Sequence, residues 1–116
     1  MIRKFIKIEE GQTCRLGNYS WSVARLITLT KGLKVMRIPL AHLNVYNIYP
    51  EMTLRDMVMH INAVNDANLS YPIILDEDGE LMDGRHRIMK ALLNNKKTIK
   101  AVRFDINPTA CEEIQS

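Results

Sequence analysis

The chain has 116 residues, 47% apolar and 25% charged, with 16 basic and 13 acidic side chains and a formal net charge of +3. That length and balance suit one domain, 1–116, with an ordinary apolar core, and exclude a disordered or collagen-like chain. The charge excess is too small to call for nucleic acid, and the apolar runs are too short for a bilayer span or a secretory signal, so no membrane and a cytoplasmic setting are expected.

Residues 1–8 put Ile2, Ile6 and Ile8 on one alternation and Arg3 and Lys7 on the other, the pattern of a half-buried strand, and Glu10-Gly11 turns the chain. A helix is predicted over 20–32: Ser20 or a neighbour caps it, Val23, Leu26, Ile27 and Thr30 recur at helical spacing, Trp21 packs near its start, and Gly32 closes it with left-handed backbone. LKVMRIPL reads as a strand ended by Pro39, which has no N–H for a ladder, and AHLNVYNIYPEM as a surface loop. Thr53 caps the next helix with Asp56 completing a short capping box, and Leu54, Met57, Val58, Ile61 and Val64 form its core face.

The almost wholly apolar YPIIL is expected as a strand covered on both faces, DEDG as a turn and ELM as a return strand. A third helix buries Ile88, Ala91 and Leu92 and ends at Asn94-Asn95. TIKAVRF alternates as a strand with Ile99, Ala101 or Val102, and Phe104 for the core, and a short acidic tail follows Asn107-Pro108. The elements run strand, helix, strand, helix, strand, strand, helix, strand. They predict an α+β (α/β) domain with a small mixed sheet and about three helices.

Asp83-Gly84-Arg85-His86-Arg87 joins the return strand to the third helix. A helix start leaves backbone N–H groups unpaired at the positive end of the helix dipole, which attracts anions. Gly84 permits a tight turn and a close approach to the backbone, and the cationic and imidazole side chains bring further donors, so a phosphate cradle is expected. In isolation the same residues also make a plain turn, with Asp83 as N-cap and the arginines as solvated cations.

This turn resembles the one with which the ParB/sulfiredoxin-like family holds nucleotide phosphates. Ile38-Pro39-Leu40, the helix from Thr53, Pro72-Ile73-Ile74 and the motif follow that family's order over 35–104, with Ala91 one place beyond the usual small residue. The resemblance implies a ParB/sulfiredoxin-like fold and a nucleoside di- or triphosphate, or another phosphorylated small molecule, held by Gly84, Arg85, His86 and Arg87. It also implies Asp83 as a catalytic carboxylate and Mg2+ ligand, as in the family's free serine kinases, with Glu51 as the second acid. Sulfiredoxins carry their cysteine where this chain has Arg85. The chemistry implied for an enzyme is therefore phosphoryl transfer or nucleotide hydrolysis, not sulfinic acid reduction. The alternative is a non-enzymatic DNA-associated or regulatory module of the chromosome- or plasmid-partition type. The helix-turn-helix and dimerisation regions of complete partition proteins are not expected in so short a chain.

Other constellations carry less. Cys14 and Cys111 are expected as free thiols, and the spacing of His42, His60 and His86 does not suit zinc. Asp76, Asp78 and Glu80 begin like a calcium loop, but Leu81 and Arg87 occupy the positions that need glycine and glutamate. His60 is expected at a helix surface or boundary, and the seven methionines as core filler.

Overall fold

The computed structural model describes residues 2–4, 13–16, 18–43, 52–110 and 112–114. Along the chain these form β1 (Ile2–Lys4), β2 (Thr13–Leu16), β3 (Tyr19–Ser22), α1 (Val23–Leu29), β4 (Met36–Pro39), α2 (Leu54–Asp66), β5 (Ile73–Leu75), β6 (Leu81–Asp83), α3 (Arg85–Leu93), β7 (Thr98–Arg103) and β8 (Glu112–Ile114). The strands make two four-stranded sheets, an antiparallel one in the order β1-β8-β3-β2 and a mixed one in the order β4-β7-β5-β6. In the mixed sheet β5 and β7 run parallel, joined through β6 and α3. The result is an α+β fold with three helices among the described residues.

The mixed sheet is packed on both faces, and the alternation of its inner strands shows how. Ile73 and Leu75 of β5 and Ile99 and Ala101 of β7 join Ile88 and Ala91 of α3 in one apolar cluster. Ile74, Val102 and Phe104 point the other way, to Trp21, Val23, Leu26 and Cys14. Successive strand residues face opposite sides, so the apolar run in β5 supplies two cores at once, as its sequence predicts. Each fully buried Ile or Val here contributes about 1.5–3 kcal/mol of transfer free energy.

Local chemistry sets the element ends. Thr53 accepts from the Asp56 backbone N–H at 3.1 Å, and the Asp56 carboxylate accepts from the Thr53 N–H at 3.2 Å, the expected capping box. Helix α3 stops where Asn95 takes φ 58°. There the N–H groups of Asn95 and Lys96 donate to the carbonyls of Leu92 and Ala91 at 3.1 and 2.9 Å, a Schellman closure with asparagine in the usual glycine position. In the 76–79 turn the buried Asp76 accepts from the backbone N–H groups of Asp78 and Glu80, each at 2.8 Å.

The structure corrects several expectations. Tyr19–Ser22 is a strand paired with β2, so the helix begins only at Val23, with Ser22 as its cap. Gly32 ends a single 3-10 turn, closed by Leu33 N–H to the Thr30 carbonyl at 2.9 Å, without left-handed backbone. Of the expected core face of α2 only Val64 is buried, while Leu54 is 88% exposed and Met57, Val58 and Ile61 are exposed as well. Leu92 of α3 is also exposed. The tail after Pro108 contributes β8, which pairs with both β1 and β3. The expected turn at Glu10-Gly11, residues 44–51 of the loop, and Cys111 as a side chain lie outside the described residues. Among the described residues no helix is long and apolar enough to cross a membrane.

Candidate functional site

Strand β6 delivers Asp83 to the edge of the mixed sheet, and Gly84 turns the chain into α3 with φ 117° and ψ 20°. A side chain is excluded there twice over. The backbone lies in the left-handed region that favours glycine, and a Cβ would sit 2.5 Å from Ile73 Cγ2 and 2.9 Å from Ile73 Cβ. Gly84 thus fits the start of α3 tightly onto β5. Its carbonyl accepts the first helical bond, from Ile88 N–H at 3.0 Å. Helix geometry leaves the N–H groups of Arg85, His86 and Arg87 without intrahelical acceptors, and Gly84 has no side chain with which to cap them.

Those residues line an open cavity of about 590 Å3. Around it stand Asp83, Gly84, Arg85, His86 and Arg87, with Cys14 from β2, Val23 and Ile27 from α1, Asp66 from α2, and Asn68 and Tyr71 from the segment leading to β5. The volume falls in the range of small-molecule sites, about 300–1,000 Å3.

The motif side chains have unequal roles. Arg87 donates through Nη2 to Asp83 Oδ2 at 2.6 Å and through Nη1 to the Pro72 carbonyl at 2.6 Å. Its guanidinium braces the glycine turn from within while Arg87 also lines the cavity. Asp83 is correspondingly the partner of Arg87. Arg85 is exposed at the cavity rim, and His86 is half-buried in its wall. Glu51 lies outside the described residues.

His86 Nε2 lies 2.9 Å from Nδ1 of His60, which reaches it from α2. Burial, His60 and then Arg85 lower the His86 pKa from its ordinary 6.5, against an opposing pull from Asp83. His86 is therefore neutral at physiological pH. Cys14 is pushed up to about 11, first by burial and then by the carboxylates of Asp83 and Asp76, so it is a protonated, poorly nucleophilic thiol.

The resemblance implies a magnesium ion held by Asp83. Among the described residues no three His, Cys, Asp or Glu side chains come together as a metal site, and Asp83 already gives an oxygen to a guanidinium. Glu51, the second acid the resemblance implies, lies outside the described residues.

Sequence reasoning missed His60 as a site residue. Its signal was available: His60, Ala63 and Val64 lie at helical spacing on α2, continued by the cap residue Ala67, and from this side His60 reaches His86 while Ala63 and Ala67 line the cavity. Two alanines made that face weaker to read than the stripe through Leu54, Met57, Val58 and Ile61. Lys90 reinforces the same contact by donating from Nζ to the carbonyls of Asn65 and Ala67 at 2.9 and 2.7 Å, at the end of α2.

Comparison with family models, with curated proteins and with solved structures returns no match to this chain.

Proposed function

We propose that the chain is a phosphate-binding domain of the ParB/sulfiredoxin-like type, acting in the cytoplasm on a nucleotide or another phosphorylated small molecule. The observation that carries this reading is the cavity whose wall includes the glycine-led first turn of α3, with Arg85 and His86 beside it. Backbone donors, a helix dipole and a guanidinium in one concavity favour an oxyanion over a cation or an apolar ligand. The family reading draws its support from the order of β4, α2, the β5–β6 hairpin, the glycine turn, α3 and β7. If the domain is catalytic, the chemistry is phosphoryl transfer or hydrolysis. The protonated Cys14 argues against a thiolate mechanism.

The test is thermal stabilisation by ATP, CTP, ADP and inorganic pyrophosphate. A ligand at about a hundred times its dissociation constant adds about 2.7 kcal/mol, a readily measured shift in midpoint. Arg85→Ala is expected to reduce the shift. If no phosphate compound moves the midpoint while duplex DNA is retained in a salt-sensitive manner, the reading is wrong and the partition-type alternative replaces it.

A further inference from the structure

The contact on the cavity wall that the glycine turn does not explain is the bond between two imidazoles. His60 Nδ1 and His86 Nε2 are 2.9 Å apart, while the ring centroids are 5.2 Å apart with planes inclined at 38°. The rings meet end to end through those nitrogens and are not stacked. With Nε2 committed to His60, Nδ1 is the nitrogen His86 has left for a ligand.

Proton counting then links the two rings. Each neutral imidazole carries one N–H and one acceptor nitrogen, and one of the pair's two protons occupies the shared bond. If His60 donates from Nδ1, the remaining proton lies on His86 Nδ1, making it a donor. If His86 donates from Nε2, its Nδ1 is an acceptor that repels an anion. The hydrogen bond made by one ring nitrogen sets the state of the other.

We propose that His60 is a positioning residue: by donating from Nδ1 to His86 Nε2 it fixes His86 as the Nδ1–H tautomer, which donates to a phosphate oxygen in the cavity. This rests on the phosphate reading above.

The surroundings suit such a pair. Among the described residues, the charged and titratable groups that line the cavity with His86 are Arg85 and Arg87 on α3, Asp83 on β6, Asp66 on α2, Cys14 on β2 and Tyr71 before β5, and Lys90 stands one turn further along α3. Arg87 and Asp83 answer each other, Cys14 is a neutral thiol, and Lys90 is turned to the carbonyls at the end of α2. Arg85 disfavours a charge on His86 itself, in keeping with a neutral ring there.

The experiment is 15N NMR of histidine-labelled protein with inorganic pyrophosphate at about pH 7, together with calorimetric affinities. Bound wild type is expected to show His86 protonated at Nδ1 and bare at Nε2. His60→Asn places an amide donor where Nδ1 stood, and is expected to retain that signature and bind within about threefold of wild type, whereas His60→Leu loses both and binds about tenfold more weakly. A bound neutral His86 carrying its proton on Nε2, or His60→Leu binding as tightly as wild type, overturns the role of His60 alone. Absence of any pyrophosphate binding to wild type overturns the phosphate reading and this proposal with it.

Discussion

The guanidinium of Arg87 grips the carboxylate of Asp83 at 2.6 Å across the glycine that separates a strand from a helix. Both side chains are largely shielded, at 18% and 15% exposure, and the same guanidinium ties down the Pro72 carbonyl. Arg87→Ala is therefore expected to act first on stability. Loss of two hydrogen bonds from a charged group at a partly buried turn costs about 2–4 kcal/mol. Urea unfolding checks this, and a midpoint equal to that of wild type would remove Arg87 from the turn.

Gly84→Ala meets two obstacles, a left-handed backbone and the side chain of Ile73 2.5 Å from the new methyl group. The backbone contributes about 1–3 kcal/mol and the overpacking a similar amount. The variant is expected to lose about 2–5 kcal/mol by chemical denaturation, more than Arg87→Ala.

Because the folded protein holds the His86 pKa below 6.5, the unfolded chain binds more protons between the two values. Stability is thus full above about pH 6.5 and declines as pH falls through the lower folded value. A scan of melting midpoint against pH checks this, and His86→Gln is expected to flatten the acid limb.

Cys14 has the opposite sign. Its pKa is raised from 9.0 to about 11, so its contribution is complete below pH 9.0 and is lost as pH rises through about 11. In a Cys111→Ser background, iodoacetamide at about pH 8 is expected to leave folded protein unlabelled and to label it once denatured.

The exposed face of α2 separates the structure from the pattern of its sequence. Leu54 is 88% exposed, and Leu54→Gln is expected to change stability by less than about 0.5 kcal/mol. Val64, buried against the rest of the fold, is expected to cost about 1–2.5 kcal/mol as Val64→Ala, and unfolding curves for the two variants decide the point.

Signals that reside in adjacent residues were legible before the structure. The Thr53–Asp56 box, the double-sided apolar strand at Ile73–Leu75 and the asparagine stop at Asn94-Asn95 each need only local chemistry, and each appears as read. What was not legible depends on distant partners. Tyr19–Ser22 carries a helix-like spacing with the segment after it, yet takes strand geometry because β2 and β8 pair with it. The site follows the same rule. The glycine turn could be found from five consecutive residues, but the capture of Arg87 by Pro72 and the meeting of His60 with His86 depend on packing between elements 15 and 26 residues apart.

The antiparallel sheet has one consequence for how the protein is made. Among the described residues, strand β1 reaches the rest of that sheet only through β8, with Ile2 opposite Ile114. During translation the ribosome must therefore add more than a hundred residues before the first strand finds its neighbour, a delay of roughly 5–20 s at ordinary elongation rates. The mixed sheet, which ends at Arg103, can close sooner. The half of the molecule that holds the glycine turn is thus able to take shape while the opening strand still waits for its place.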